Sequence, residues 1–413
     1  MFSRSGWITM IAVVALTGGV AQAQTFGVEL HDNLMPASGG MAGVSISRPQ
    51  DLQSAINANP ATMRQYQGTQ FSFGGGWADA NVHFNQAAPL PLIGVQPYDA
   101  TSTQPGALLG NIGVTQSLDA AGLPVTAGLA LISNAGTGMN FRGIPQSNST
   151  ASQLAVLEMV AGLGVDIFEG FSVGATFQLG TGYIDGPFSG IGAMTTAYGA
   201  RGTVGANYFV TPTTSVGVYW QSEQGFDFKN AAQLPIGPAR NVPMDLPENI
   251  GFGLADSSLM EGKLLLAADI LYKQWSQSQL FGQIYDDQWA FQFGGQYEWN
   301  PRLRLRLGYA YNQNPLSGPV VTNIAGIPVP DGIPAARYVQ AQFAAITQNR
   351  ITTGFGIRDV FMPGIDLDVF AGYAFNASDR LATTTVSIHD NYWVGGGLSW
   401  RIGAGAAPTV ATQ

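Results

Sequence analysis

The stretch "RLRLRLGYAY", Arg302–Tyr311, alternates three arginines with three leucines, and Tyr309 and Tyr311 continue the leucine parity. A helix would scatter these side chains around its axis, whereas a strand sends successive side chains to opposite faces. Arg302, Arg304 and Arg306 then share one face. Leu303, Leu305, Leu307, Tyr309 and Tyr311 share the other. In a soluble sandwich the apolar face is core and the arginines meet water. In a membrane barrel the apolar face meets lipid and the arginines line a wet interior. The strand admits both, so the rest of the chain must choose.

Composition favours the barrel. Only 10% of the 413 residues are charged while 46% are hydrophobic, against about a quarter charged in ordinary soluble domains. Beyond the N-terminus no apolar run is long enough for a spanning helix, but alternation hides apolar residues from a helix-length window. The first stretch, "MFSRSGWITMIAVVALTGGVAQA", carries one positive charge, an apolar run and a small-x-small end. It reads as a signal peptide over 1–23. Losing Arg4 with it changes the net charge from −9 to −10 (−9 − 1). The absence of cysteine excludes disulfides and thiolate chemistry. The acidic balance and scattered basic residues argue against nucleic acid as a partner.

From Gly68 onward, alternating segments bounded by Gly, Pro, Asn or Asp have the length that a tilted membrane strand needs. They span 69–84, 107–118, 124–134, 154–167, 170–181, 197–210, 213–229, 247–257, 261–275, 287–299, 302–313, 348–359, 365–375 and 389–401. Fourteen is an even number, as a single-chain bacterial barrel requires. Even-numbered segments run on through tight turns such as "EG", "TP" and "NP". Odd-numbered ones precede long Pro/Gly/Asn-rich connections, the longest over 314–348. Short turns at one rim and long loops at the other mark an outer-membrane barrel. The expected fold is therefore a 14-stranded antiparallel outer-membrane β-barrel over 68–401. A tail follows at 402–413.

Residues 24–67 do not alternate. Their apolar Leu52, Ile56 and Met63 need cover, and the economical place for the segment is inside the barrel as a plug.

With "GGMAG" (Gly39–Gly43), then Asn59-Pro60-Ala61 in "INANPATM", this segment is similar to the hatch of the FadL-type outer-membrane transporters of long-chain fatty acids and aromatic hydrocarbons. The resemblance continues through "YGARGTVGANYFVTPTTSVGVYWQSE", "RLRLRLGYAYNQNP" and "NRITTGFGIRDVFMPGIDLDVFAGYAF" and covers nearly the whole mature chain. It implies a monomeric, passive route across the bacterial outer membrane for hydrophobic compounds, with no cofactor and with lipopolysaccharide and lipid as neighbours. Its hatch would gate the route through Gly43, Asn59, Pro60 and Ala61. It also implies an inward kink in the third strand that opens the wall sideways. There this chain reads "ISNAG" (Ile132–Gly136) where the family commonly has a Pro-Phe-Gly-like stretch.

Inward parity marks Arg201, Lys273 and Arg304 as candidates for a carboxylate head group. For Arg304 the competing reading is structural pairing with Glu298, Asp366 or Asp368, since buried charges need partners. Apolar residues around the outer loops, Ile184, Phe188, Ile191, Met194, Leu234 and Ile236, are candidates for a capture groove. Long-chain fatty acids lead as substrates, with aromatic hydrocarbons or alkanes as the alternative. A general porin would want no plug. A lipid hydrolase would need "GFSVG" (Gly170–Gly174) to present Ser172 to His83, and no helix follows Ser172 as a nucleophile elbow demands. No metal, phosphate or dinucleotide motif is present.

Overall fold

The computed structural model describes residues 28–186, 194–232, 238–317, 323–324, 327–328 and 334–402. The expected signal peptide, the tail beyond Ile402, and Phe188, Ile191, Leu234 and Ile236 lie outside these residues.

Fourteen strands close into one antiparallel barrel. They are β1 (Thr69–Gln86), β2 (Ala107–Ser117), β3 (Val125–Asn140), β4 (Ala151–Phe168), β5 (Phe171–Asp185), β6 (Thr195–Phe209) and β7 (Thr214–Gln221). The second half comprises β8 (Glu248–Leu259), β9 (Leu264–Gln274), β10 (Gln288–Glu298), β11 (Leu303–Asn312), β12 (Asn349–Ile357), β13 (Ile365–Ala374) and β14 (Thr384–Ile402). Closure is the β1–β14 ladder, which runs from Thr69↔Ile402 to Gln86↔Thr384. Closure leaves no open edge, the condition for burying a sheet in hydrocarbon. No described helix is long and apolar enough to cross a membrane.

The opening stretch now has its answer. Leu305, Leu307 and Tyr309 face outward at 39%, 68% and 39% exposure, while Arg304 and Arg306 point into the lumen at 9% and 3%. Arg302 departs from the expectation: it lies one residue before β11 and is exposed at the short-turn rim, because strand parity ends where the turn begins. Aromatic residues gather towards both rims. Phe168 stacks on Phe171 at one end, and Trp77 meets Tyr392 and Tyr272 meets Trp289 nearer the other. Such belts suit the interfacial layers of a bilayer.

One strand is shorter than its sequence implied. The barrel strand β7 ends at Gln221 rather than continuing to 229, and Gln224–Ala232 pairs antiparallel with Arg240–Leu246 as a separate two-stranded hairpin. Phe226 and Phe228 are buried on its inner side. Lumen-facing Gly180, Gly182 and Gly199 make the space: a Cβ on Gly182 would meet Phe226 and Phe228 at 2.9 Å. Burying two aromatic rings outweighs extending a rim strand into solvent.

The loop after β11 carries a helix that alternation could not signal, α2 (Pro334–Ala341); the earlier helix α1 is Leu52–Asn57 in the plug. Tyr338 of α2 is fully buried and hydrogen-bonds the hydroxyls of Tyr98 (2.7 Å) and Thr150 (2.8 Å). This closes the long-loop end over an apolar cluster that includes Phe84, Phe141, Phe281 and Phe343.

Candidate functional site

Residues 28–67 fill the lumen, and nearly all of them are buried. Asp51 caps α1, accepting from the Ser54 amide at 2.9 Å, and its other oxygen accepts from the amides of Ala37 (3.0 Å) and Ser38 (2.8 Å). One carboxylate thus ties two parts of the plug together. Leu52, Ile56 and Met63 pack against Ala130, Ile132 and Val160 of the wall. Burial of each such side chain contributes about 1.5–3 kcal/mol. From the wall, Asp269 of β9 accepts from the Ser45 (2.7 Å) and Ile46 (3.0 Å) amides.

Asn59, Pro60 and Ala61 are seated by the same logic. Asn59 caps the short helix Pro60–Gln65 by accepting from the Ala61 amide at 3.2 Å, and Pro60 takes the first position, where no N–H is needed. The Asn59 amide group also donates to Ile46 O (2.8 Å) and Ala206 O (3.0 Å), and Ser172 donates to Ala61 O (3.1 Å). The wall opposite is glycine for steric reasons. A Cβ on Gly174 would meet the Ala61 nitrogen and Pro60 carbon at 2.4 Å, and one on Gly205 would meet the Asn59 oxygen at 2.1 Å. Gly43 takes φ +87, and its amide donates to Ser38 O at 2.9 Å. Arg64 ends this segment in a latch at the short-turn rim, pairing Asp119 (2.8 Å) and Asp166 (2.7 Å).

The wall is interrupted between β2 and β3. The β2–β3 ladder stops at Asn111↔Ile132. The β3–β4 register then shifts between Ser133 and Ala135, a bulge at Asn134. Beyond it the in–out alternation of β3 is lost and residues 134–139 are all buried, so this half of the strand turns inward. The plug fills the seam. Glu29 bridges Ala135, the Leu30 amide donates to Asn134 O (2.9 Å), and the Gly136 amide donates to Val28 O (2.8 Å).

Two of the three candidate cations converge beside this seam. Arg201 of β6 contacts Glu29 (3.2 Å) and Glu158 of β4 (3.3 Å), and donates to Gln178 at 2.6 Å. Lys273 of β9 lies 3.8 Å from Glu29, and Asn249 of β8 donates to the same carboxylate at 3.0 Å. The buried apolar cluster containing Val28, Ala135, Met139 and Val156 adjoins them. Arg304 is not part of this group. It pairs Asp366 (3.2 Å) and Asp368 (3.7 Å), and Arg306 pairs Asp368 at 2.6 Å. Glu298, directly across the hairpin from Arg304 in register, instead pairs Arg358 at 2.5 Å. Glu29, the residue that ties the cations together, escaped the sequence reading because it sits on no alternating strand.

Of the groove candidates, Ile184 lies within β5 at 1% exposure inside the apolar cluster, and Met194 is half-buried. The Ser172–His83 pairing does not form. Ser172 stands at the start of β5 with its hydroxyl on the plug, and His83 lies near the far end of β1 on Asp99 (2.7 Å).

No family model and no curated protein matches the chain. Solved structures do. The Pseudomonas putida toluene transporter TodX aligns at 17% identity and TM-score 0.63, over 88% of this chain and 97% of that one. The fold is that of the FadL-type barrel. A Pseudomonas aeruginosa FadL homologue gives 14% identity and TM-score 0.65 over 91% and 99%, and the Ralstonia pickettii toluene transporter TbuX 15% and 0.62 over 89% and 97%.

Proposed function

We propose that this protein is a passive channel of the bacterial outer membrane, not an enzyme, that takes up hydrophobic compounds, long-chain fatty acids foremost. The interrupted wall at β3 carries the reading: a plug segment is paired into the seam, with an apolar cluster on one side and cations beside it. An apolar molecule gains nothing from a water-filled pore. Each methylene that it buries in an apolar cluster contributes about 0.8 kcal/mol. The molecule enters between the long loops, passes the cluster under α2, and leaves sideways through the seam when Val28–Leu30 withdraws. Asn59, Pro60, Ala61 and Gly43 anchor the plug against which that movement works.

A second reading in the same class, transport of aromatic hydrocarbons, draws on the neighbours named as toluene transporters. Arg201 and Lys273 favour a carboxylate, since a hydrocarbon has no use for buried cations. The test is uptake of labelled oleate and of toluene by a deletion strain carrying wild-type protein or Lys273→Ala. An oleate-selective defect in the variant supports the fatty-acid reading. A toluene defect of equal size moves the assignment to hydrocarbons, and no difference between the deletion strain and the wild type removes the uptake reading.

A further inference from the structure

Between the plug and the wall lies a cavity of about 10 Å³, room for a single water molecule or an ion of that size. Asp32, Ser45 and Asn57 line it from three stretches of the plug, and Tyr219 of β7 and Gln292 of β10 close it from the wall. The lining is acidic without a cation to match. Asp32 is 1% exposed and accepts from Ser45 Oγ (2.5 Å) and Asn57 Nδ2 (2.9 Å), but no basic side chain pairs it among the described residues. The charges that bear on it, Asp51 and Asp269, are buried acids as well. Arg201 and Lys273 are committed to Glu29 and Glu158. A buried carboxylate without a partner is costly. Asn57 points the same way. Its carboxamide is 5% exposed and fixed through its nitrogen to Asp32, and its Oδ1 has no hydrogen-bond partner among the described residues.

We propose that this cavity binds one alkali-metal cation of sodium's size, held by the Asp32 carboxylate, Asn57 Oδ1 and Ser45 Oγ. The donors are all oxygens, as a hard cation requires. The serine hydroxyl has lone pairs for the ion while its proton stays on Asp32. One carboxylate in the lining balances one positive charge, which selects a monovalent ion over calcium. Bound there, the ion cross-links three stretches of the plug that lie far apart in sequence. It also offsets the negative charge that Asp32, Asp51 and Asp269 accumulate in a small volume. The cation is then a structural part of the plug, whatever compound the barrel carries.

The test is hydrogen exchange, read by mass spectrometry on the full chain in detergent. Sodium chloride is titrated against tetramethylammonium chloride at constant ionic strength, the organic cation being too large for a space of this size. The reporters are peptides that cover the Gly43 and Ala58 amides, which donate to Ser38 O and Ser54 O at 2.9 Å each. Sodium should slow both saturably, about tenfold once its concentration is about ten times its Kd. Asp32→Asn, with the heat-modifiable gel shift of a folded barrel retained, should exchange at one rate whatever the sodium concentration. Asn57→Ala keeps the charge and should need about tenfold more sodium for the same slowing, a loss of one oxygen ligand. Wild type that exchanges alike in the two salts overturns the proposal, the cavity then holding water or Asp32 a proton. A response to calcium with none to sodium also overturns it, as does Asp32→Asn that keeps the full sodium effect.

Discussion

Replacing Gly174 by alanine adds one carbon to the lumen side of β5, where it would lie 2.4 Å from the Ala61 nitrogen and the Pro60 carbon. Ordinary contact begins near 3.4 Å, so the plug must retreat by about an ångström or the strand must bend. Overpacking of this kind costs about 1–3 kcal/mol. Retreat also breaks the Ser172–Ala61 hydrogen bond (3.1 Å), worth about 1 kcal/mol. The plug should therefore undock more easily by about 2–4 kcal/mol, which corresponds to exchange faster by ~30- to ~1000-fold where it proceeds by local opening. The reporter is the Thr62 amide, bonded to Asn59 O at 3.0 Å. Gly202→Ala is the control: on the outward face of β6 its Cβ would meet nothing nearer than 3.7 Å, and Thr62 should exchange at the wild-type rate. If Gly174→Ala and Gly202→Ala behave alike, the glycine slot is not what seats Asn59-Pro60-Ala61.

Other outcomes follow from the same geometry. Arg306→Leu leaves the buried Asp368 with only Arg304 at 3.7 Å; it should destabilise the barrel by about 3 kcal/mol, lowering the temperature of the heat-modified gel transition, and Arg306→Leu with Asp368→Leu should recover most of the loss. Leu307→Arg puts a charge on a side chain 68% exposed to lipid and should cost about 2–4 kcal/mol near the midplane, measured by urea titration of folding into vesicles. The rim latch should respond to acid only: the Arg64 hydrogen bond holds the Asp119 carboxyl below its ordinary value of 3.8. For a depressed acid the contribution is fully present above the unfolded value and is lost as pH falls through the folded one. Protease cleavage within 60–67 should therefore stay constant from neutral pH down to 3.8 and rise below it; a rise between neutral pH and 3.8 would show that the latch does not depend on Asp119.

Alternation in "RLRLRLGYAY", repeated in thirteen other segments, was enough to place Leu307 in lipid, Arg306 in a lumen and the short turns on one rim. That much is local: the direction of each side chain follows from the geometry of the strand that bears it, whatever lies beside it. The buried positions of Leu52, Ile56 and Met63 were legible too, because an apolar segment without alternation has few other places to go. Partners were legible only in part: of the three acids expected for Arg304, Asp366 and Asp368 do pair it. Glu298 stands opposite Arg304 in the ladder yet pairs Arg358, and Glu29 reaches three strands far from it in sequence. The hairpin that leaves the wall after Gln221, the glycine slot under Asn59 and the seam filled by Val28–Leu30 are of the same kind. Each depends on barrel closure and register, which bring distant residues within a few ångströms, and spacing along a chain carries no record of that distance.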